Sequence, residues 1–462
     1  MKTILADQAL VDGQWATCVR VDIGDDGHIA AVVHEAACDR QTEDEGSSVH
    51  RVGCLVPAPA NAHSHAFQRA MAGLTEARGP DPRDSFWTWR DRMYHFLRRL
   101  NPDQVQDITA FAQMEMLESG FAAVGEFHYL HHAPDGSPYA SVAEMAERVL
   151  AAAADTGIGL TLLPVFYHQG GCDGRALTGG QRRFGNALEP FLALRAASAT
   201  ALAHAPADSL LGVAPHSLRA VSTEALTALL TECTSGPVHI HIAEQTAEVD
   251  EVLAHHGARP VQWLFDTQDV DARWCLVHAT HLDNAELQQL ASSDAVAGLC
   301  PVTESSLGDG IFRAVEHRNA GGRIAVGSDS NIRVSLAEEL RTLEYSQRLR
   351  DRGRAALATP TASTGRALFD AALRGGARAC ARPAGITAGC WADLLALDLG
   401  APDAVGRSGD ALLDSFVFAR GEALVGDVWS AGRHVVSGGR HRDRDCITAR
   451  YRAALGAILA AP

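Results

Sequence analysis

The chain has 462 residues, more than one ordinary compact core accommodates, which points to a barrel-sized domain with a smaller satellite. Apolar residues make up 47% and charged residues 21%, the mix of a soluble globular protein rather than a disordered or membrane-embedded one. The formal net charge of −16 sets the surface against nucleic acid and anionic membranes, so an anionic substrate calls for arginines placed locally.

The first residues, Met1-Lys-Thr-Ile-Leu-Ala-Asp7, carry no sustained apolar run, so no export signal is expected. No stretch approaches the ~18 uninterrupted apolar residues of a membrane span. The ten cysteines include no Cys-x-x-Cys pair, and free thiols in a reducing cytoplasm are expected.

In chain order, residues 16–21 and 28–33 read as strands around a turn at 24–27, a hairpin signal. The polar segment 36–48 reads as a loop, and Cys54-Leu-Val-Pro57 as a buried strand. Helices are predicted at 104–119 and 141–154, and strands at 122–127, 159–165, 210–213, 237–242, 274–278, 295–299 and 323–327. Repeated strand–helix units of this length predict an α/β fold, a (β/α)8 barrel, over residues 55–384. No Gly-x-Gly-x-x-Gly follows the first strand, which argues against a nucleotide-binding open sheet. After 385 the pattern returns to β, with strands predicted up to Asp398, at 417–419 and at 427–436, and the Ala-rich tail from 452 reads as a helix. Residues 1–54 and 385–462 are therefore expected to build one small β-sandwich from both chain ends.

The chemistry gathers at the predicted strand ends. His63-Ser-His65 follows a buried strand, and in extended chain the two imidazoles share a face and can reach one ion. On its own, the pair fits two core histidines equally well. Val238-His-Ile-His-Ile-Ala-Glu244 repeats the arrangement, with His239 and His241 on one face and Glu244 placed either as a proton shuttle or as a helix N-terminal acid. His278 and then Asp329 close two later strands; Asp329 also suits the cap of the next helix.

A His-x-His, a later His, another His and a final Asp, at successive strand ends of one barrel, resemble the amidohydrolase superfamily. The resemblance implies a metal held by His63, His65, His241 and Asp329, with His239 the rival for the third position, and Glu244, His278 and Asp329 as catalytic groups. No lysine stands where a carbamate would bridge two metals, so one zinc per chain is expected. Finer blocks are similar to the formimidoylglutamate deiminases of histidine breakdown: Asn61-Ala-His-Ser-His-Ala-Phe-Gln68, Ser85-Phe-Trp-Thr-Trp-Arg90, Glu126-Phe-His-Tyr129, Pro215-His216-Ser-Leu-Arg219 and Ser328-Asp-Ser-Asn331. That resemblance implies hydrolysis of N-formimino-L-glutamate to N-formyl-L-glutamate and ammonia by a cytoplasmic homodimer. Gln68, Arg90, Tyr129, His216 and Arg219 would grip the dicarboxylate. Arginine suits bidentate carboxylate binding, although Arg90 alone also reads as a surface charge stacked on Trp87 or Trp89. The competing expectations are a deaminase of a neutral heterocycle such as guanine, cytosine or an s-triazine, and a barrel scaffold without catalysis. His281 carries no assignment.

Overall fold

A computed structural model describes residues 2–34, 49–77 and 86–460. The loop expected at 36–48, and Ser85, lie outside the described residues.

The N-terminal segment forms β1 (Lys2–Val11), β2 (Gln14–Ile23), β3 (Ile29–His34) and β4 (Val49–Pro57). The turn expected at 24–27 joins β2 to β3, closed by the Gly27 N–H donating to the Gly24 carbonyl at 3.1 Å. Eight strand positions follow as the barrel: β5 (Ala60–Ser64), β6 (Ala123–His128), β7 (Gly159–Phe166), the short β8 (Leu210–Leu211) with β9 (Ala214–Pro215), β10 (Val238–Ile242), β11 (Trp274–His278), β12 (Val296–Leu299) and β13 (Arg323–Val326). Each neighbouring pair within β5–β9 and within β10–β13 is parallel. Three parallel bridges, Val213 to Val238, Ser217 to His241 and Ser64 to Asp329, join these two sheets into a ring, as the alternation of strands and helices predicts. Where one strand is expected at 210–213, β8 and β9 form a broken one, both paired to β7.

The remaining strands are β14 (Leu394–Leu397), β15 (Val425–Ser430), β16 (Arg433–Ser437) and β17 (Arg440–His441). They join β1–β4 in one eight-stranded mixed sheet, order β17-β16-β15-β14-β4-β1-β2-β3, so both chain ends share the satellite. One face of it builds a separate apolar core from Ile4, Val21, Leu55, Leu394 and Trp429, while Leu10, Val56, Leu395 and Val428 on the other face join the barrel core. Alternation of side chains along each strand makes this division possible.

Three expectations need correction. Residues 417–419 are not a strand: Phe416–Arg420 forms a single π-helical turn, because three apolar residues carry no period that separates strand from helix. Residues 427–436 are not one strand but a hairpin, β15 and β16, turning at Ala431-Gly432. Among the described residues, eight cysteines are free thiols, six of them buried, but Cys18 is disulfide-bonded. The lack of a Cys-x-x-Cys pair bears only on closely spaced cysteines. Among the described residues, no helix is long and apolar enough to cross a membrane.

Candidate active site

The seam that closes the barrel is also the floor of the site. His65 donates its backbone N–H to the Asp329 carbonyl at 2.9 Å, and Asp329 donates its own to the His63 carbonyl at 3.0 Å. The end of the first barrel strand is thereby fixed against the end of the last. Gly327 is required here: a Cβ would come within 2.7 Å of the His63 carbonyl oxygen. Asn61, Ser328, Asn331 and Ser64 lock the same seam through side-chain hydrogen bonds of 2.6–3.1 Å, all buried. Ala243, His278 and Asp329 all have φ between +44° and +67°, a strained conformation for residues with a Cβ. Such strain persists where the surrounding structure over-determines the chain, and it gathers at functional sites.

Four donor atoms converge at this floor. The Nε2 atoms of His63, His65 and His241 lie 3.1–3.3 Å apart, and the Asp329 Oδ1 is 3.4 Å from His63 and 3.1 Å from His65. A tetrahedral ion with bonds of ~2.0–2.1 Å spaces its ligand atoms by about 3.3 Å, so the set fits one. The tautomers agree. The Nδ1 of His65 lies 3.0 Å from the Phe127 carbonyl and that of His241 lies 3.2 Å from the His216 carbonyl, which places each ring proton on Nδ1 and leaves the inner nitrogens bare. Two bare nitrogens and the His63 Nε2 facing one point, beside a carboxylate, match a cation's requirements. His239 turns away, its Nε2 2.8 Å from the Ala379 carbonyl, and belongs to the packing behind β10.

Above the floor stand Glu244, His278 and the second oxygen of Asp329. His278 Nε2 lies 3.7 Å from Glu244 Oε1 and 4.0 Å from Asp329 Oδ2. Burial raises the Glu244 carboxyl to about 7 against the opposing pull of His278. That value suits a group that takes and returns a proton near neutral pH. Burial also opposes the charged form of His278, but Glu244, Glu304 and Asp329 outweigh it and hold the imidazole well above its ordinary range.

The alternative structural roles go to other residues. The first-turn acid of helix Thr246–His256 is Glu248, which accepts the backbone N–H of both Ala243 and Glu244 and so fixes the segment carrying Glu244. The cap of helix Leu336–Asp351 is Ser335, not Asp329.

The remaining wall brings together Gln68, Arg90, Tyr129, His216 and Arg219, in one cavity with His65, His241, Glu244, His278 and Asp329. Gln68 donates to the Tyr129 hydroxyl at 2.6 Å. Burial lowers the His216 pKa well below its ordinary value, and Arg219 pushes it the same way, so the ring is neutral. Burial disfavours the Arg219 charge, but Glu248, Tyr167 and Glu244 more than restore it. The Arg90 guanidinium lies 5.7 Å from the Tyr94 ring centroid. His281 Nε2 lies 2.8 Å from the Asp309 carbonyl, outside the donor set.

Sequence reasoning missed Glu248, Glu304 and Tyr167. Glu304 lies 3.2 Å from His278 Nδ1 and accepts the Cys300 N–H at 2.8 Å. Its signal was an acid in the first turn of a helix directly after a barrel strand, easily read as a dipole partner. Tyr167 lines the cavity from just past β7 and carries no pattern at all.

A sequence model of the amidohydrolase family matches residues 54–435. The chain belongs to the amidohydrolase family. Within that family it is 47% identical, over 99% of its length and 100% of the relative's, to the formimidoylglutamate deiminase of Pseudomonas aeruginosa. It is 27% identical, over 81% of its length and 79% of the relative's, to a 5-methylthioadenosine/S-adenosylhomocysteine deaminase of Natronomonas pharaonis. The crystal structure of an amidohydrolase from Brucella melitensis superposes with a TM-score of 0.94 at 47% identity, covering 100% of both chains. An adenosine deaminase from Xanthomonas campestris, solved with bound zinc, shares the fold at a TM-score of 0.80 and 22% identity, covering 99% of this chain and 98% of that one.

Proposed function

We propose that the protein, as a cytoplasmic homodimer, hydrolyses N-formimino-L-glutamate to N-formyl-L-glutamate and ammonia, with one zinc ion held by His63, His65, His241 and Asp329. The observation that carries the reading is the pairing of two arginines, Arg90 and Arg219, with the four-donor cluster in one cavity. A glutamate derivative presents two carboxylates to such a wall, and guanidinium forks match them. A neutral heterocycle offers such forks no carboxylate to grip. The 47% identity to a formimidoylglutamate deiminase supports the same substrate.

Zinc, when bound in such a site, supplies Lewis acidity and lowers the pKa of water toward ~7. The side chains then divide the work. Arg90 and Arg219 clamp the carboxylates, helped by Gln68, Tyr129 and His216. Asp329 takes a proton from the attacking water as oxygen adds to the formimino carbon. Glu244 delivers a proton to the nitrogen of the tetrahedral adduct, and the C–N bond breaks to release ammonia. His278, cationic between Glu244 and Asp329, steadies the negative charge that develops on the adduct.

The test is ammonia release from N-formimino-L-glutamate by zinc-loaded protein, with metal content measured on the same sample. Release with at least one metal per chain is expected. A metal-loaded protein that releases no ammonia overturns the substrate and returns the heterocyclic deaminases as the class to screen.

A further inference from the structure

The satellite sheet holds a second group of metal-type donors, remote in sequence from the first. His50 lies in β4, Asp427 in β15 and His434 in β16. His50 is paired with Ile4, Asp427 with Ala396 and His434 with Trp429. Paired residues on neighbouring strands share a face. Ile4, Ala396 and Trp429 all belong to the satellite's own apolar core, so the three donors edge that core from the same side. Their side chains are 39%, 17% and 32% exposed, neither solvated freely nor sealed away.

The Asp427 carboxylate gives one oxygen to each imidazole. Its Oδ1 is 2.8 Å from His434 Nε2 and its Oδ2 is 3.6 Å from His50 Nε2. The three ligand atoms lie within 4.8 Å of one another. The spacing of about 3.3 Å between ligands of a tetrahedral zinc falls between the two measured separations. Trp429 fixes both rings: His434 stacks on it at 4.6 Å and His50 meets it edge-on at 5.1 Å. Donors held this way lose little freedom on binding. Burial works against the Asp427 carboxylate, but His434 and His50 hold its pKa below the ordinary range. Asp427 also lines an open cleft with Gly426 and Gly439.

We propose that His50, Asp427 and His434 form a second site for a divalent transition cation of the zinc class, with water completing the coordination. Two imidazoles and one carboxylate suit zinc, copper, nickel or cobalt, and not calcium or magnesium, which take oxygen ligands. The ion ties β4, which precedes the barrel, to β15 and β16, which follow it. With three protein ligands instead of four, it is the weaker of the two sites. The reading it has to beat is a hydrogen-bonded His–Asp–His group that needs no ion.

Equilibrium dialysis of the full chain against zinc, followed by metal analysis, separates the two. Wild type is expected to hold about two ions per chain. Asp427→Asn and His50→Asn each lose the weaker ion and keep the tighter one, while His241→Ala, which breaks the barrel cluster, keeps the weaker. Saturation of wild type at a single ion that Asp427→Asn still binds overturns the proposal. So does a weaker ion that survives both satellite substitutions. A single ion lost from Asp427→Asn and kept by His241→Ala supports the satellite site and counts against the barrel cluster instead.

Discussion

The two ends of the barrel bury charge in opposite ways. At the end where the strands begin, Arg382 is 2% exposed and fully paired: it reaches both oxygens of Asp393 at 2.5 and 2.9 Å, and the side chain and carbonyl of Asp208 at 3.0 and 2.8 Å. Arg433 closes the network from β16, gripping both oxygens of Asp208 at 2.6 and 2.9 Å. Gly159 lies flat beneath the Arg382 guanidinium, where a Cβ would collide at 2.5 Å. This group joins the barrel to the satellite sheet, and every charge in it has an opposite. At the end where the strands finish, three imidazoles point their Nε2 atoms at one another beside Asp329, with Glu244 and His278 above. There the groups satisfy each other only when something is placed between them. Barrels commonly assign stability to the first end and chemistry to the second. The difference shows in the pairing, without reference to activity.

Glu244→Gln breaks the functional end most sharply. The amide fills the same space but cannot shuttle a proton, so turnover should fall on the order of 10²–10⁴-fold, the usual worth of a general acid–base group. The metal should remain, because the four donors are untouched. Steady-state kinetics with metal analysis on the same sample checks both halves, and a variant that turns over normally sinks the shuttle role.

Arg382→Met strikes the structural end. It leaves Asp393 buried without its cation and strips one of two from Asp208, and breaking a buried pair costs about 3–5 kcal/mol. Denaturant melts should show that loss, while kcat per folded molecule stays at the wild-type value. A drop in kcat without a drop in stability would contradict the division between the two ends.

Arg219→Ala sharpens the reading of the cavity wall. Truncating one member of a desolvated charge pair costs about 2 kcal/mol or somewhat more, so kcat/KM for N-formimino-L-glutamate should fall by about 30-fold or more. KM should carry most of that loss. Unchanged kcat/KM removes Arg219 from the carboxylate clamp.

The two ends were unequally legible in the sequence. The metal-type donors stood out because the chemistry demands particular residue types at strand ends, and a two-residue repeat fixes which of them share a face. The Arg382 network was invisible: Asp208, Arg382, Asp393 and Arg433 lie in four separate segments, and nothing local marks an ion pair made between them. Glu248 and Glu304 were hidden for a different reason. Both occupy helix first turns, where acids are favoured anyway, so their hydrogen bonds to Glu244 and His278 come only from the folded geometry. The barrel itself was readable from alternating apolar runs. The turn at Phe416–Arg420 was not, because a run of three apolar residues has no period.

Glu126 stands between the two cases. It is 2% exposed, beside β5 at the mouth end, where it accepts the Ala66 N–H at 2.7 Å and has no arginine or lysine against it among the described residues. Burial raises its carboxyl from 4.5 to about 7, against the hydrogen bonds from Ala66 and Ser64 and the pull of His65. The sign follows from linkage. The native state holds this proton more tightly than the unfolded chain, so the favourable contribution is complete below pH about 4.5 and is lost as the pH rises through about 7. Glu126→Gln cannot ionise and keeps a carbonyl oxygen for Ala66. The stability of the variant relative to wild type should therefore grow between about pH 5 and about pH 8, by about 2–3 kcal/mol, since each tenfold change in proton affinity is worth roughly 1.4 kcal/mol. Urea melts at both pH values measure that difference. If it does not change with pH, Glu126 is ionised in the native protein and its charge has a partner, which would move it to the paired class that Arg382 represents.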